Sequence, residues 1–168
     1  MRERERSKAK IERGDLRRLA EIAATDRAAF FQRHPRWRRL YSNRVLAVAL
    51  CQGAARHYVD GKTGVKDFDV WTFYAAHPEG AFPPRRRGKI DFGASKFGRH
   101  PADVGFIGRR VDLIGRSLRA HVGADPVVVL REYLSKPKSR SARKLAAKAV
   151  VLLEPTKLRG RVVWVPAR

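Results

Sequence analysis

A chain of 168 residues, 43% of them hydrophobic, is long enough for one domain of ordinary size and too apolar for general disorder. Lysine and arginine number 38 against 16 aspartates and glutamates, a formal net charge of +22 with a pI near 11.4. Self-repulsion on that scale is relieved by a polyanion such as RNA or DNA, although an arginine-rich composition also arises from the base composition of a source genome. No run approaches the roughly 18 apolar residues of a membrane span, and no apolar stretch follows the charged start, so neither an anchor nor a signal peptide is expected and the cytoplasm is the expected compartment.

In chain order, residues 1–14 read as a charged tail, frayed or helical, ahead of a single domain over 15–168. Leu16, Leu19, Ile22, Ala23 and Phe30 recur near a 3.6-residue period and predict a helix that His34-Pro35 ends. Arg36–Asn43 reads as a loop or short turn. Arg44–Cys51 is β-branched and apolar on both faces, the pattern of a central buried strand. The single cysteine, Cys51, lies inside that run and reads as a small core residue. Gly53 breaks the strand, one or two helical turns follow, and Asp60-Gly61 and Gly64 signal a turn before a second strand over Val65–Ala75. His77–Gly88 is a Pro/Gly loop ending in Arg85, Arg86 and Arg87. Lys89–Ser95 is a short extended segment, and Arg109–Leu118 a third strand. Asp125-Pro126 caps and opens a helix to about Ser135; Ser141–Ala149 is a second short helix, and two terminal strands follow. The expected class is α+β: a mixed sheet with helices mainly on one face, in which 44–51, 65–75 and 109–114 are neighbours.

Side chains alternate along a strand, so Asp67 and Asp69 point the same way while Phe68 and Val70 point into the core. Two like charges about 7 Å apart repel, and burial makes the repulsion worse. A hard divalent cation such as Mg²⁺ reverses the sign, since it takes oxygen ligands and also receives substrate phosphates. Solvation on an exposed strand face, or pairing with arginines, would satisfy a bare Asp-x-Asp equally well.

The ordered set resembles the nucleotidyltransferase superfamily, the fold shared by polymerase beta and the CCA-adding enzymes. An apolar strand (Arg44–Cys51) is followed by a glycine (Gly53), a spacer, then Asp67-Phe68-Asp69-Val70. A third carboxylate flanked by apolar residues follows in Val111-Asp112-Leu113-Ile114. Asp91, between Ile90 and Phe92, fits the same pattern, but Asp112 lies in the more convincing strand. The resemblance covers a core at 44–118. It implies transfer of NMP from an NTP to a hydroxyl by two Mg²⁺ or Mn²⁺ ions held by Asp67, Asp69 and Asp112, with Gly53 and Ala54 cradling phosphates. The family usually has Ser or Gly where this chain has Ala54, which offers only its backbone N–H. Arg85, Arg86 and Arg87 are candidates to screen the leaving pyrophosphate, and His57 to face the pocket.

Among acceptors, the basic charge points to an RNA end (tRNA included) over a protein or small molecule, and the size is compatible with a toxin of a toxin–antitoxin pair. Two other readings stand: a non-catalytic basic nucleic-acid-binding protein, and a degenerate transferase fold serving as an interaction module. A shared metal pair, with ions about 4 Å apart, requires the Asp67 and Asp112 carboxylates within about 10 Å of each other.

Overall fold

The computed structural model describes residues 5–83 and 87–167, with only the backbone of Arg87. After an extended segment, helix α1 (Arg13–Arg33) leads through His34 into α2 (Pro35–Tyr41). Strand β1 (Val45–Cys51), helix α3 (Gln52–Asp60), and strands β2 (Phe68–Ala75), β3 (Arg87–Asp91) and β4 (Arg110–Leu118) follow. Helices α4 (Pro126–Ser135) and α5 (Arg140–Ala146), then β5 (Ala149–Glu154) and β6 (Val162–Trp164), complete the described chain.

The six strands form one mixed sheet in the order β3-β4-β2-β1-β5-β6. Neighbours are antiparallel except β2 and β4, which run parallel. The three strands expected to be neighbours are indeed consecutive, as β4-β2-β1.

The helices do not lie mainly on one face; both faces are covered. Val48, Leu50, Phe68, Val70, Val111 and Leu113 pack with Leu16 and Leu19 of α1 and with Ala54 and Ala55 of α3. On the other face Ala49, Trp71, Phe73 and Ile114 pack with Leu130 and Leu134 of α4 and Leu145 of α5. The reason is in the strands themselves: β1 and β5 are buried along nearly their whole length on both sides, so each face needs its own cover.

Residues 36–43, read as a loop, instead belong largely to α2. Pro35 both ends α1 and serves as the first residue of α2, where its missing N–H costs nothing. Leu40 and Tyr41 then enter an aromatic cluster with Phe30, Phe31, Tyr74 and Phe82. The N-terminal residues also differ from a frayed tail. Ser7 and Val65 exchange backbone hydrogen bonds of 2.9 and 2.7 Å, which ties the segment to the approach of β2. Arg109, 5% exposed, donates to the carbonyls of Phe97, Glu5 and Lys66 and so joins three stretches of chain at one guanidinium.

Candidate metal centre

The apolar run of β1 ends at Cys51, and the chain turns into α3 within one residue. Gln52 takes φ +61°, the left-handed region that side chains with a Cβ rarely adopt. This abrupt turn presents the N-terminus of α3 to a cavity of about 420 Å³, lined there by Gln52, Gly53 and Ala54. The first N–H groups of a helix have no intrahelical partner and carry its positive end. A Cβ on Gly53 would stand 3.3 Å from Nη1 of Arg6, so the N-terminal segment lays a guanidinium directly over the turn.

Asp69 and Asp112 are cross-strand partners in the parallel β2–β4 ladder, and Asp67 sits just ahead of β2. Oxygens of the three carboxylates lie within 4.8 Å of one another. The separation required for a shared metal site is therefore met with room to spare. The cavity wall above them is basic: Arg6, Lys66, Arg140, Lys144 and Lys148 all line it.

Arg110 already answers part of the negative charge. Its Nη2 donates to Asp67 at 2.9 Å, its Nε to Asp112 at 3.2 Å, and its Nη1 to Asp103 at 3.2 Å. Asp69 makes no hydrogen bond or ion pair among the described residues. Burial, and then the charges of Asp67 and Asp112, push its carboxyl up to about 7, against the weaker pull of Arg110 and Lys148. Three carboxylates balanced by one guanidinium leave two negative charges, held deepest at Asp69. Oxygen donors of this type and spacing suit Mg²⁺ or Mn²⁺, and the raised Asp69 marks where added positive charge is most favourable. The thiol of Cys51, paired with Asp69 across β1 and β2, is pushed well above its ordinary value by burial and then by Asp69, which leaves it a core residue.

The other candidates divide by geometry. Gly53 and Ala54 border the same cavity as Asp67 and Asp69. Asp91 is engaged elsewhere: its carboxylate accepts from the amides of Gly93, Ile107 and Gly108 at 2.6–2.8 Å and closes the loop between β3 and β4. Burial works against that charge, but the three amides outweigh it and hold the carboxyl low. His57 is a core residue, 2% exposed, with Nδ1 accepting from the Gly64 amide at 2.9 Å and Nε2 3.0 Å from the Ala9 carbonyl. Both ring nitrogens are thus spoken for by backbone. Arg85 and Arg86 lie outside the described residues, as does the side chain of Arg87.

Arg110 reads from the sequence as a phosphate-contacting arginine and stands instead among the aspartates, while Arg6 has no reading there at all. Arg110 stands two residues before Asp112 and so shares its strand face, a signal present in the alternation. Nothing local signals Arg6, which reaches the site through the Ser7–Val65 pairing. Comparison with known proteins gives no assignment: no family model, curated protein or solved structure matches the chain.

Proposed function

We propose that the protein is a metal-dependent nucleotidyltransferase-like enzyme that transfers NMP from an NTP to a hydroxyl acceptor, with an RNA end as the favoured acceptor. The observation that carries this reading is one cavity lined by Asp67 and Asp69, the N-terminus of α3 and five cationic side chains, with a carboxylate oxygen of Asp112 within 4.8 Å of those of the other two aspartates.

Each part has a task in such a reaction. The free amides at Gly53 and Ala54 and the guanidinium of Arg6 would bind the β- and γ-phosphates. Lys144, Lys148 and Arg140 would balance the charge of the triphosphate and of the pyrophosphate that leaves. Asp67, Asp69 and Asp112 would hold the divalent ion, which when bound polarises the α-phosphate and lowers the pKa of the attacking hydroxyl. The acceptor oxygen forms a bond to the α-phosphorus as the bond to the bridging oxygen of the β-phosphate breaks. Pyrophosphate departs with that electron pair, and the hydroxyl proton passes to water. Arg110 would shift toward Asp103, its third partner, as positive charge enters the cluster.

The Arg110 ion pairs with Asp67 and Asp112 also favour a second reading, in which the guanidinium holds the aspartates without a metal and the basic surface binds nucleic acid without turnover. Incubation with each α-labelled NTP, Mg²⁺ or Mn²⁺, and total RNA or lysate protein separates the two. Metal-dependent transfer of label to RNA, lost in Asp67→Asn, is the expected result. Nucleic-acid binding without label transfer under any nucleotide and metal would leave the binder as the surviving reading.

A further inference from the structure

A second cavity, also of about 420 Å³, opens beside the C-terminal end of β4 and is lined by Arg116, Arg119, Lys136, Lys138, Tyr133 and Ser139 among others. Its position relative to the carboxylates follows from strand geometry. Asp112, Ile114 and Arg116 alternate onto one face of β4; Ile114 borders the first cavity and Arg116 the second. Four residues at ~3.3 Å each place Arg116 about 13 Å along the strand from Asp112. The far wall is continuous as well. Ser139, which caps α5, lines the second cavity, while the next two residues, Arg140 and Ser141, line the first. The two hollows are thus neighbours on one face of the sheet, and basic side chains run through both.

The polar groups of the second cavity suit an anion with oxygen acceptors. Four cations face one acid, Glu132, on its lining. The Arg116 guanidinium stands 5.8 Å from the centre of the Tyr133 ring. The Tyr133 hydroxyl is shut off from solvent without a hydrogen bond of ordinary geometry, with the Ser139 side chain nearby. A buried hydroxyl left in that state loses free energy that an incoming acceptor oxygen would restore. A small phosphate would fill one hollow only. The 13 Å offset is the length of about four stacked nucleotides at ~3.4 Å each.

We infer that this second cavity is the seat of the acceptor strand: single-stranded RNA runs from Arg116, Tyr133 and Lys138 to the aspartates, its terminal hydroxyl at the first cavity and its phosphates along the basic groups. This rests on the transferase reading for the direction of the strand. Its test is a binding measurement that needs no turnover.

Fluorescence anisotropy of a 12-nucleotide single-stranded RNA, in EDTA and without NTP, is followed from 50 to 200 mM salt. Each phosphate contact contributes about 0.7 to the slope of log affinity against log salt on a single strand. The double variant Lys136→Gln/Lys138→Gln removes two exposed charges, and should flatten the slope by about 1.4 and weaken binding. Tyr133→Phe should weaken binding with the slope unchanged. A dinucleotide, too short to span both cavities, should bind wild type more weakly and with a shallower salt slope than the 12-mer. Equal 12-mer affinity and slope in the double variant, with circular dichroism and melting temperature unaltered, would overturn the proposal. So would a polyglutamate 12-mer competing as well as RNA, which would identify the cavity as a seat for acidic peptide. Loss of RNA binding in the variants with no label transfer by wild type would remove the transferase and keep the groove. Label transfer to RNA with variant binding unchanged would do the reverse.

Discussion

Asp69→Asn isolates the electrostatic strain of the metal-free centre, because it removes one charge and keeps the shape. The Asp69 carboxyl is pushed up to about 7, first by burial and then by Asp67 and Asp112. An aspartate in the unfolded chain titrates near ~3.9. A difference of roughly three units at about 1.4 kcal/mol each corresponds to about 4 kcal/mol of destabilisation by the ionised form. Water in the cavity screens part of it, so about half, ~2 kcal/mol, is the reasonable expectation. The sign is fixed by the direction of the shift. Below pH ~4 Asp69 is protonated in both states and contributes nothing; between ~4 and 7 the unfolded chain ionises first and stability falls; above 7 the full penalty stands. In EDTA at pH 8 the Asn variant should therefore be more stable than wild type by ~2 kcal/mol, roughly 4–8 °C in melting temperature for a chain of this size. At pH 4 most of that gap should close. Urea and thermal denaturation of both proteins at the two pH values measure it. A variant no more stable than wild type at pH 8, or equally stabilised at pH 4, refutes the argument that Asp69 lacks a cation.

Millimolar Mn²⁺ or Mg²⁺ bound only by the folded state should raise the melting temperature of wild type, by ~2.7 kcal/mol at a hundred times Kd. The rise should vanish in Asp67→Asn/Asp69→Asn; a wild-type melting temperature that ignores both ions, with or without NTP, supports solvated or arginine-paired aspartates. Arg110→Gln should destabilise the metal-free protein by about 1–2 kcal/mol, since three partly buried carboxylates lose their shared partner. The same change should tighten Mn²⁺ binding about tenfold or more in titration calorimetry, and unchanged affinity would show that the guanidinium does not compete with the ion. His57→Phe should cost ~2 kcal/mol through the orphaned Gly64 amide and Ala9 carbonyl; a loss of label transfer with stability intact would reassign it to the chemistry.

What the sequence discloses and what it conceals have separable causes. Helix α4 is legible to the residue, because Asp125 and Pro126 are a cap and a first turn in adjacent positions; the Asp125 side chain accepts from Val127 and Val128. The carboxylate cluster is legible because an Asp-x-Asp and a lone Asp in apolar strands have few physical outcomes other than convergence or solvation. Asp91 shows the limit of that logic. Alternation cannot distinguish a carboxylate aimed at a cation from one that closes a loop on backbone amides. The placement of helices on both sheet faces was implicit in strands apolar on every position, but it depends on long-range packing that no local window contains. Arg6 is the extreme case, a side chain brought to the site by a pairing across 58 positions of chain, between Ser7 and Val65.

The buried guanidinium of Arg109 has a consequence for the order in which the centre takes shape. The Glu5 carbonyl gains its Arg109 partner only once residue 109 exists, so during synthesis the segment that pairs at Ser7 and Val65 is locked at its first described residue last. The same bond makes the segment a conditional part of the cavity. Release of Glu5 together with the Ser7–Val65 pair would free Arg6 from above Gly53, while the strands and helices of both hydrophobic clusters keep their packing. Were an anion to bind at Arg6, its occupancy and the docking of the N-terminal segment would be coupled equilibria: the anion would slow amide exchange at Ser7, and a fusion that drags on Glu5 would weaken the grip on it.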